Sequence, residues 1–144
     1  MKLGWIVVTG PKKIRDEAVE RLDVIADTFL SVSTPVQNAL ESWFKQKSKI
    51  QNQILDRVKA NLKSIQLPSS CQLLHAEGGW YAVIRIPRIH SEEQWVMRLL
   101  EKDHVLVQPG YFFDFPKEAY IVVSLLTPEK NFREGMRRIE KRMG

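Results

Sequence analysis

The apolar residues in the first part of the chain follow two different periods. Residues 3–8 form a short apolar run closed by Thr9, Gly10 and Pro11, which is typical of a buried strand ending in a turn. Beyond this turn, apolar residues recur at three- and four-residue steps, as they do on one face of an amphipathic helix. These residues are Ile14, Ala18, Leu22, Ile25 and Phe29. The pattern predicts a strand over 3–8 and a helix over 12–30.

A second helical pattern starts near Thr34 and is unusually long. Thr34 and Gln37 have the spacing of a capping box, and Pro35 would take the first helical position, where its missing N–H costs nothing. The apolar residues then keep one phase until Pro68: Val36, Leu40, Trp43, Ile50, Ile54, Val58, Leu62 and Ile65. We therefore predict a single helix over 35–66, longer than the roughly 10–14 residues usual in globular proteins.

The remainder of the chain changes to a period typical of strands, interrupted by two helices. Ser91 and Gln94 form a second capping box that opens a helix, and Thr127 with Pro128 opens the last helix. The predicted strands are Gln72–His75, Trp80–Ile86, Val105–Val107 and Tyr120–Leu126. These elements predict an α+β fold, in which helices cover one face of a small antiparallel or mixed sheet.

The positive charge of the chain is concentrated in two helical segments, 45–63 and 129–144. The 144 residues contain 22 Lys and Arg against 17 Asp and Glu, a formal net charge of +5. Six basic residues and one acid fall between Lys45 and Lys63, and four of them, Lys45, Lys49, Lys59 and Lys63, share the side of the long helix opposite its apolar stripe. Such a face could bind nucleic acid, but it is also what any solvated helix shows, and no aromatic residue is interleaved to stack on bases. We favour the solvated face.

Several kinds of chemistry find no support in the residue pattern. The single cysteine, Cys71, cannot form an internal disulfide, and His75, His90 and His104 lack the spacing of metal ligands, so we expect no metal site. No nucleophile elbow and no phosphate-binding glycine loop occur. With no apolar run near the ~20 residues of a membrane span and no signal-peptide pattern, we expect a cytoplasmic protein without membrane contact.

Arg85 is the residue that the strand pattern explains least well. It lies among Val83, Ile84 and Ile86 in a predicted strand. Because an isolated buried charge is costly, this arginine either points to the solvent-facing side of the sheet or faces an anion. The residue pattern leaves both possibilities open.

Four short segments, spread over essentially the whole chain, share one resemblance. They are Lys2–Pro11, Ser31–Gln37, Gly78–Tyr81 and Val107–Phe113. In order and approximate spacing they are similar to the R-x-G-W strand, the serine-rich loop with its P-x-Q helix start, the G-G-aromatic strand and the V-x-P-G-x-x-F loop of one family. The chain thus resembles the C-terminal part of a pyridoxal phosphate-dependent aminotransferase of fold type I, in the aspartate aminotransferase-like group.

This resemblance implies amino-group transfer between an amino acid and a 2-oxo acid. It also implies that the catalytic lysine belongs to a large domain upstream of Met1, so that this chain alone holds no catalytic residue, binds no pyridoxal phosphate and is inactive. Lys2 takes the place of the basic residue that contacts the cofactor phosphate, where arginine is usual. Lysine can serve there as a point charge, without the bidentate geometry of arginine.

The chain departs from the family pattern where the substrate carboxylate is bound. The family strand Y-x-R-ϕ-S supplies an arginine, whereas Tyr120–Ser124 has Val122 at that position. Arg85 lies on the neighbouring strand, and our hypothesis is that it replaces the missing arginine. Tyr111 and Thr34 belong to loops that the resemblance places near the substrate.

The resemblance also suggests how the chain is organised. Residues 1–34 would be the remnant of a large domain, 35–66 a connecting helix and 67–144 a small C-terminal domain. The expected partners are the missing large domain and a second copy, which would pair through the N-terminal strand and the long helix. Two alternatives are a non-catalytic protein-interaction module and a module that binds nucleic acid through the basic helix face.

Overall fold

A computed structural model describes residues 3–29, 32–117 and 119–144 of the chain. The chain divides into two compact units, Met1–Lys49 and Ile50–Gly144, and the division falls inside the long helix. Each unit is described by itself below.

The first unit contains helix α1 and the first part of helix α2. Helix α1 spans Lys12–Phe29, in agreement with the predicted helix, whose last residue, Leu30, lies outside the described residues. Helix α2 spans Thr34–Lys63 and confirms the single long helix, with 30 residues. It ends three residues before the predicted boundary at residue 66.

The predicted strand over 3–8 is not formed. Residues 3–9 have no regular secondary structure, although the Trp5 ring contacts Phe44 edge-on, at 5.9 Å between ring centroids. A strand needs a hydrogen-bonded neighbour, and the four-stranded sheet among the described residues takes no strand from this segment. Its apolar run predicted burial, but Trp5, Ile6 and Val7 are exposed, because the described residues provide no strand to pair with this segment.

Helix α2 begins differently from the predicted capping box. Thr34 is already helical, and the amide N–H of Gln37 donates to the Ser33 carbonyl at 3.2 Å. The Gln37 side chain donates to the Val32 carbonyl at 2.7 Å. The backbone N–H of Gln37, which would donate to the Thr34 hydroxyl in a capping box, is therefore bonded to Ser33 instead.

The second unit contains an entirely antiparallel sheet. Its strands are β1 (Gln72–Leu73), β2 (Tyr81–Arg85), β3 (Gln108–Pro109) and β4 (Tyr120–Ser124), in the order β1-β2-β4-β3. The predicted strand over 105–107 is wrong, because pairing with β4 starts only at Gln108, opposite Val122. The other three predicted strands are present but shorter.

The two helices predicted for the second unit are both present. The first starts with its predicted cap, and the second has no side-chain cap. Helix α3 (Glu92–Asp103) starts with the predicted capping box, formed by Ser91 and Gln94. Helix α4 spans Glu129–Met143 and has Pro128 at its N-cap. The Thr127 hydroxyl does not cap this helix, because it donates to the Ser124 carbonyl at 3.2 Å. A short 3-10 helix, Gly110–Phe113, follows β3.

One face of the sheet forms the core of the second unit. Ala82, Ile84, Ile121 and Val123 pack there against buried residues of the two helices, which are Trp95, Leu99, Phe132, Met136, Ile139 and Met143. Val58 and Leu62 from the end of α2 pack against the same cluster. The α+β class and the helices on one face of the sheet are thereby confirmed.

The buried Asn61 fixes the end of α2 to the turn after β4. Its side-chain N–H groups donate to the carbonyls of Leu125 and Thr127 at 2.9 and 2.8 Å. Because Asn61 is completely buried, these bonds satisfy side-chain N–H groups that water cannot reach. The strand that carries Val122 is thus held to the last turns of α2.

Candidate functional site

The candidate site lies on the outer face of the sheet, opposite the core. Side chains that are direct cross-strand partners point to the same face, and those of β2 alternate between exposed or half-buried and buried. The outer face therefore consists of Gln72, Tyr81, Val83, Arg85, Gln108, Tyr120, Val122 and Ser124. The register of β2 with β4 places Arg85 on the same face as Val122.

Three hydrogen-bond donors form a row across this face. Arg85 is the direct partner of Gln72 on β1 and of Tyr120 on β4. Since neighbouring strands lie about 4.8 Å apart, an amide, a guanidinium and a phenol follow one another at that spacing. Arg85 is exposed, and among the described residues it makes no ion pair or side-chain hydrogen bond.

The next row across the outer face is apolar from Leu74 to Val122 and ends at the exposed Gln108 on β3. Val83 pairs with Val122, and the Leu74 amide N–H donates to the Val83 carbonyl at 2.9 Å, which continues the register onto β1. Val122 is only 3% exposed, whereas Leu74 and Val83 are half-buried. The position where the family has its arginine is therefore occupied by a buried apolar side chain.

Aromatic residues from the segment after β3 contact both ends of this face. Phe113 packs edge-on against Tyr81, at 5.7 Å between ring centroids. Phe115 lies against Tyr120 at 4.8 Å, with the rings tilted by 31°. Tyr111 and Phe112 pack against each other at 4.9 Å and are exposed. The donor row is thus bordered by aromatic surface.

The buried carboxylate of Glu92 holds this aromatic segment in place. Glu92 is 1% exposed, and its two oxygens accept hydrogen bonds from the amides of Tyr111, at 3.0 Å, and Tyr120, at 2.6 Å. The pairing of β3 with β4 ends at Pro109 and Ile121, so these two N–H groups would otherwise lack a ladder partner. Glu92 therefore joins the strands where they separate.

Gly110 is required by this carboxylate. A Cβ atom at Gly110 would lie 2.9 Å from Glu92 Oε1 and 2.9 Å from Tyr120 Cβ, closer than real Cβ contacts allow. Glu92 was not among the predicted site residues, because it lies directly after the capping residue Ser91, where an acid is common. Gly110 within the Pro-Gly-Tyr segment was the available signal, because a glycine at a strand end often marks a close approach.

The other predicted site residues fall in different parts of the chain. Lys2 lies outside the described residues. Thr34 is an exposed residue at the start of α2 in the first unit. Tyr111 is half exposed, and its backbone N–H is fixed by Glu92. Among the four predicted site residues, Arg85 and Tyr111 are linked through Tyr120. Tyr120 is the strand partner of Arg85, and its backbone N–H, like that of Tyr111, donates to Glu92.

The cations of α4 are mostly engaged with acceptors of the same chain. Arg133 pairs with Glu129, Arg137 and Arg138 with Glu134, and Arg142 with Asp103. Two arginines at Glu134 lower its pKa from 4.5 to about 2, because their hydrogen bonds stabilise the carboxylate. Four of the arginines of α4 are therefore paired with acids of the same chain.

The cysteine and two of the histidines lie in different places in the second unit. Burial raises the pKa of the Cys71 thiol, which disfavours the nucleophilic thiolate. His90 lies 2.6 Å from an Arg98 nitrogen, and His104 ends α3 with a positive φ of 53°. Within residues 3–29, 32–117 and 119–144, no group of three or more His, Cys, Asp or Glu could hold a metal. In the same ranges, no helix is long and apolar enough to cross a membrane.

Comparisons with known proteins point to aminotransferases. No family model matches the chain. The chain is 25% identical over 150 residues to an alanine aminotransferase of Mycobacterium tuberculosis, covering 96% of this chain and 34% of that protein. It is also 25% identical over 150 residues to the glutamate-pyruvate aminotransferase AlaA of Haemophilus influenzae, covering 96% and 37%.

A solved aminotransferase structure shows the same fold. The chain superposes on an aminotransferase from Escherichia coli with a TM-score of 0.76, at 18% identity, covering 95% of this chain and 36% of that one. The homologues and structural neighbours are thus aminotransferases, which confirms the resemblance inferred from the four motifs. The chain spans about a third of the length of the curated relatives it matches, and these matches do not favour the two alternative functions.

Proposed function

We propose that the chain forms part of a pyridoxal phosphate-dependent aminotransferase, which transfers an amino group between an amino acid and a 2-oxo acid. The observation that carries this proposal is the match to alanine aminotransferases over 96% of the chain. The chain accounts for only about a third of those proteins, so most of the catalytic machinery would come from a large domain outside it.

The described residues do not by themselves fit pyridoxal phosphate. When bound, this cofactor stabilises the electrons released from the substrate α-carbon. A lysine that carries the cofactor is activated in an enclosed environment, whereas every lysine among the described residues is exposed. In our proposal the large domain holds most of the cofactor, Lys2 contributes a phosphate contact, and the isolated chain binds none.

Arg85 is our candidate for binding the substrate carboxylate. Val122 is buried at the family's arginine position, and Arg85 lies diagonally across from it on the same face, a separation of about 7–8 Å. A guanidinium can bind a carboxylate through two parallel hydrogen bonds. Tyr111, held by Glu92, and Thr34, at the start of α2, complete the residues that we assign to the substrate region.

The first unit is our candidate for the partner surface. Trp5, Ile6 and Val7 are 65%, 72% and 76% exposed, and burial of each would contribute roughly 1.5–3 kcal/mol. We assign the contacts of this unit to the large domain and, through residues 3–8 and α2, to a second copy of the chain in a cytoplasmic homodimer.

Sequencing the DNA upstream of the Met1 codon tests the proposed function. We expect a segment, in frame or separated by a frameshift, that encodes a lysine-bearing aminotransferase large domain. The joined protein should bind pyridoxal phosphate and convert an amino acid and a 2-oxo acid into the exchanged pair. Upstream DNA without such a segment, or a joined protein that binds cofactor without transferring amino groups, would contradict the proposal.

The isolated chain provides a second test. We expect that pyridoxal phosphate and borohydride leave no stoichiometric lysine adduct on the purified chain, measured by mass spectrometry of the intact protein. A protein with a known cofactor lysine serves as the positive control. One adduct per chain at a single lysine would show that this chain carries its own cofactor site.

Sedimentation tests the proposed homodimer. We expect the purified chain to sediment as a dimer, and Ile6→Asp to convert it to a monomer, because a charge in a buried apolar contact is costly. Ile89→Asp is the matched control, since Ile89 is 71% exposed and lies in the second unit. A monomeric unmodified chain would refute the homodimer.

A further inference from the structure

The outer face of the sheet combines a polar row and an apolar row in a way that selects one class of ligand. Gln72, Arg85 and Tyr120 form the donor row across three strands. Leu74, Val83 and Val122 form the apolar row beside it, which Gln108 closes on β3. We propose that this face binds carboxylates that carry an aromatic or large apolar group. The proposal deepens the proposed function and rests on it for the identity of the ligand as an amino acid or 2-oxo acid.

The donor row suits a carboxylate. The guanidinium of Arg85 lies at its centre and can donate two parallel hydrogen bonds to one carboxylate. The Gln72 amide and the Tyr120 hydroxyl flank it at about one strand spacing, and both can donate to oxygen lone pairs that Arg85 leaves unfilled. All three side chains are exposed or half-buried, so a ligand can reach them.

The apolar row indicates the rest of the ligand. Leu74 and Val83 are half-buried, so a ligand on Arg85 that extends along β2 would cover apolar surface that now faces water. The Phe115 and Tyr120 pair borders the row beside Val122, because Tyr120 and Val122 lie on the same face of β4. The two rings form a wall against which a ligand can stack. A small carboxylate would use the donors and leave this surface uncovered.

The aromatic wall is fixed before any ligand arrives. Glu92 binds the backbone on both sides of the segment that carries Phe113 and Phe115, through Tyr111 and Tyr120. Phe113 is further held against Tyr81 on β2. A preformed wall lowers the ordering cost of binding, which favours ligands that match it.

Titration of the purified 144-residue chain, followed by amide NMR shifts, tests the ligand class. The probes are 3-phenylpropanoate, propanoate and the neutral 3-phenylpropanamide. We expect saturable shifts at Gln72, Val83 and Arg85 with 3-phenylpropanoate, and binding about tenfold or more weaker for the other two probes. Arg85→Gln should weaken 3-phenylpropanoate about tenfold or more, whereas Arg88→Gln, an exposed arginine three residues later, should change it less than about twofold.

Each result that differs from these expectations would overturn a specific part of the proposal. Equal binding of propanoate and 3-phenylpropanoate would overturn the ligand class and leave Arg85 as a carboxylate-binding residue. If 3-phenylpropanamide bound as tightly as 3-phenylpropanoate, or if Arg88→Gln weakened binding as much as Arg85→Gln, the role of Arg85 would be overturned. The absence of saturable shifts with 3-phenylpropanoate would overturn the site itself. Tyr120→Phe, which keeps the ring, should weaken 3-phenylpropanoate without abolishing binding. Intact binding together with a joined protein that fails to transfer amino groups would contradict only the proposed function.

Discussion

Helices α1 and α4 are both amphipathic, but only α4 buries its apolar stripe. Phe132, Met136, Ile139 and Met143 of α4 are all at most 7% exposed, in contact with the sheet core. Helix α1 has no buried residue, and Phe29 is 78% exposed. An apolar stripe thus reveals which face of a helix is suited to burial, while other segments determine whether that face is covered.

The largest expected difference is between the costs in unfolding free energy of truncating an apolar side chain in α4 and in α1. We expect Ile139→Ala to lower the free energy of unfolding by roughly 2–5 kcal/mol, because it leaves a cavity in a close-packed core. Ile14→Ala on the exposed stripe of α1 should change it by less than about 0.5 kcal/mol. Denaturant unfolding of both variants measures the difference. Equal costs would show that the stripe of α1 is covered in solution.

The next effect concerns Glu92 within the second unit. Glu92→Gln replaces one acceptor oxygen by a donor, so one of the two amides loses its partner, at a cost of about 1–3 kcal/mol. We expect faster hydrogen exchange at Tyr111 and Tyr120, with little change along the pairing of β2 with β4. Glu93→Gln, an exposed neighbour on the same helix turn, is the matched control. Unchanged exchange at both tyrosines would contradict the role assigned to Glu92.

The two predicted capping boxes provide a smaller comparison. Ser91→Ala removes a cap that the structure uses, and we expect a loss of about 1 kcal/mol. Thr34→Ala alters a residue that already lies inside its helix, and its cost should stay below about 0.5 kcal/mol. Chemical denaturation of the two single variants checks this difference. A larger cost for Thr34→Ala would mean that the sequence pattern identified the true cap.

The smallest expected effect concerns the stability of the fold at acidic pH. Glu134 has its pKa lowered from 4.5 to about 2 by the hydrogen bonds of Arg137 and Arg138. A carboxylate whose pKa is lower in the folded chain stabilises the fold above pH 4.5, and this contribution is lost as the pH falls towards 2. Glu134→Gln should therefore reduce the fall in melting temperature over this range. Glu140→Gln, on the same helix, is the control, and identical profiles for both variants would contradict this assignment.

Local patterns predicted most of the helices and the phase of the strands. The capping box of α3 depends on two residues three positions apart, and both of its bonds are present at Ser91 and Gln94. The alternation of β2 was sufficient to place Arg85 on the same side as Tyr81 and Val83. These features depend on neighbours along the chain, and a single sequence contains that information.

Features that join distant residues were predicted less well. The apolar run over 3–8 indicated a strand, but a strand also needs a hydrogen-bonded neighbour, and none of the sheet strands pairs with it. Glu92 has the residue type of an ordinary first-turn acid. Its partners lie 19 and 28 residues away, so nothing next to it in the sequence indicated a buried carboxylate.

The sequence by itself determined the α+β class, the long helix and the resemblance to aminotransferases, because periodicity and motif spacing are properties of neighbouring residues. Only the tertiary structure decided that Gln72, Arg85 and Tyr120 share one row and that Glu92 joins β3 to β4. Register and burial depend on how distant segments pack, and the packing of the second unit places the exposed Arg85 beside apolar surface.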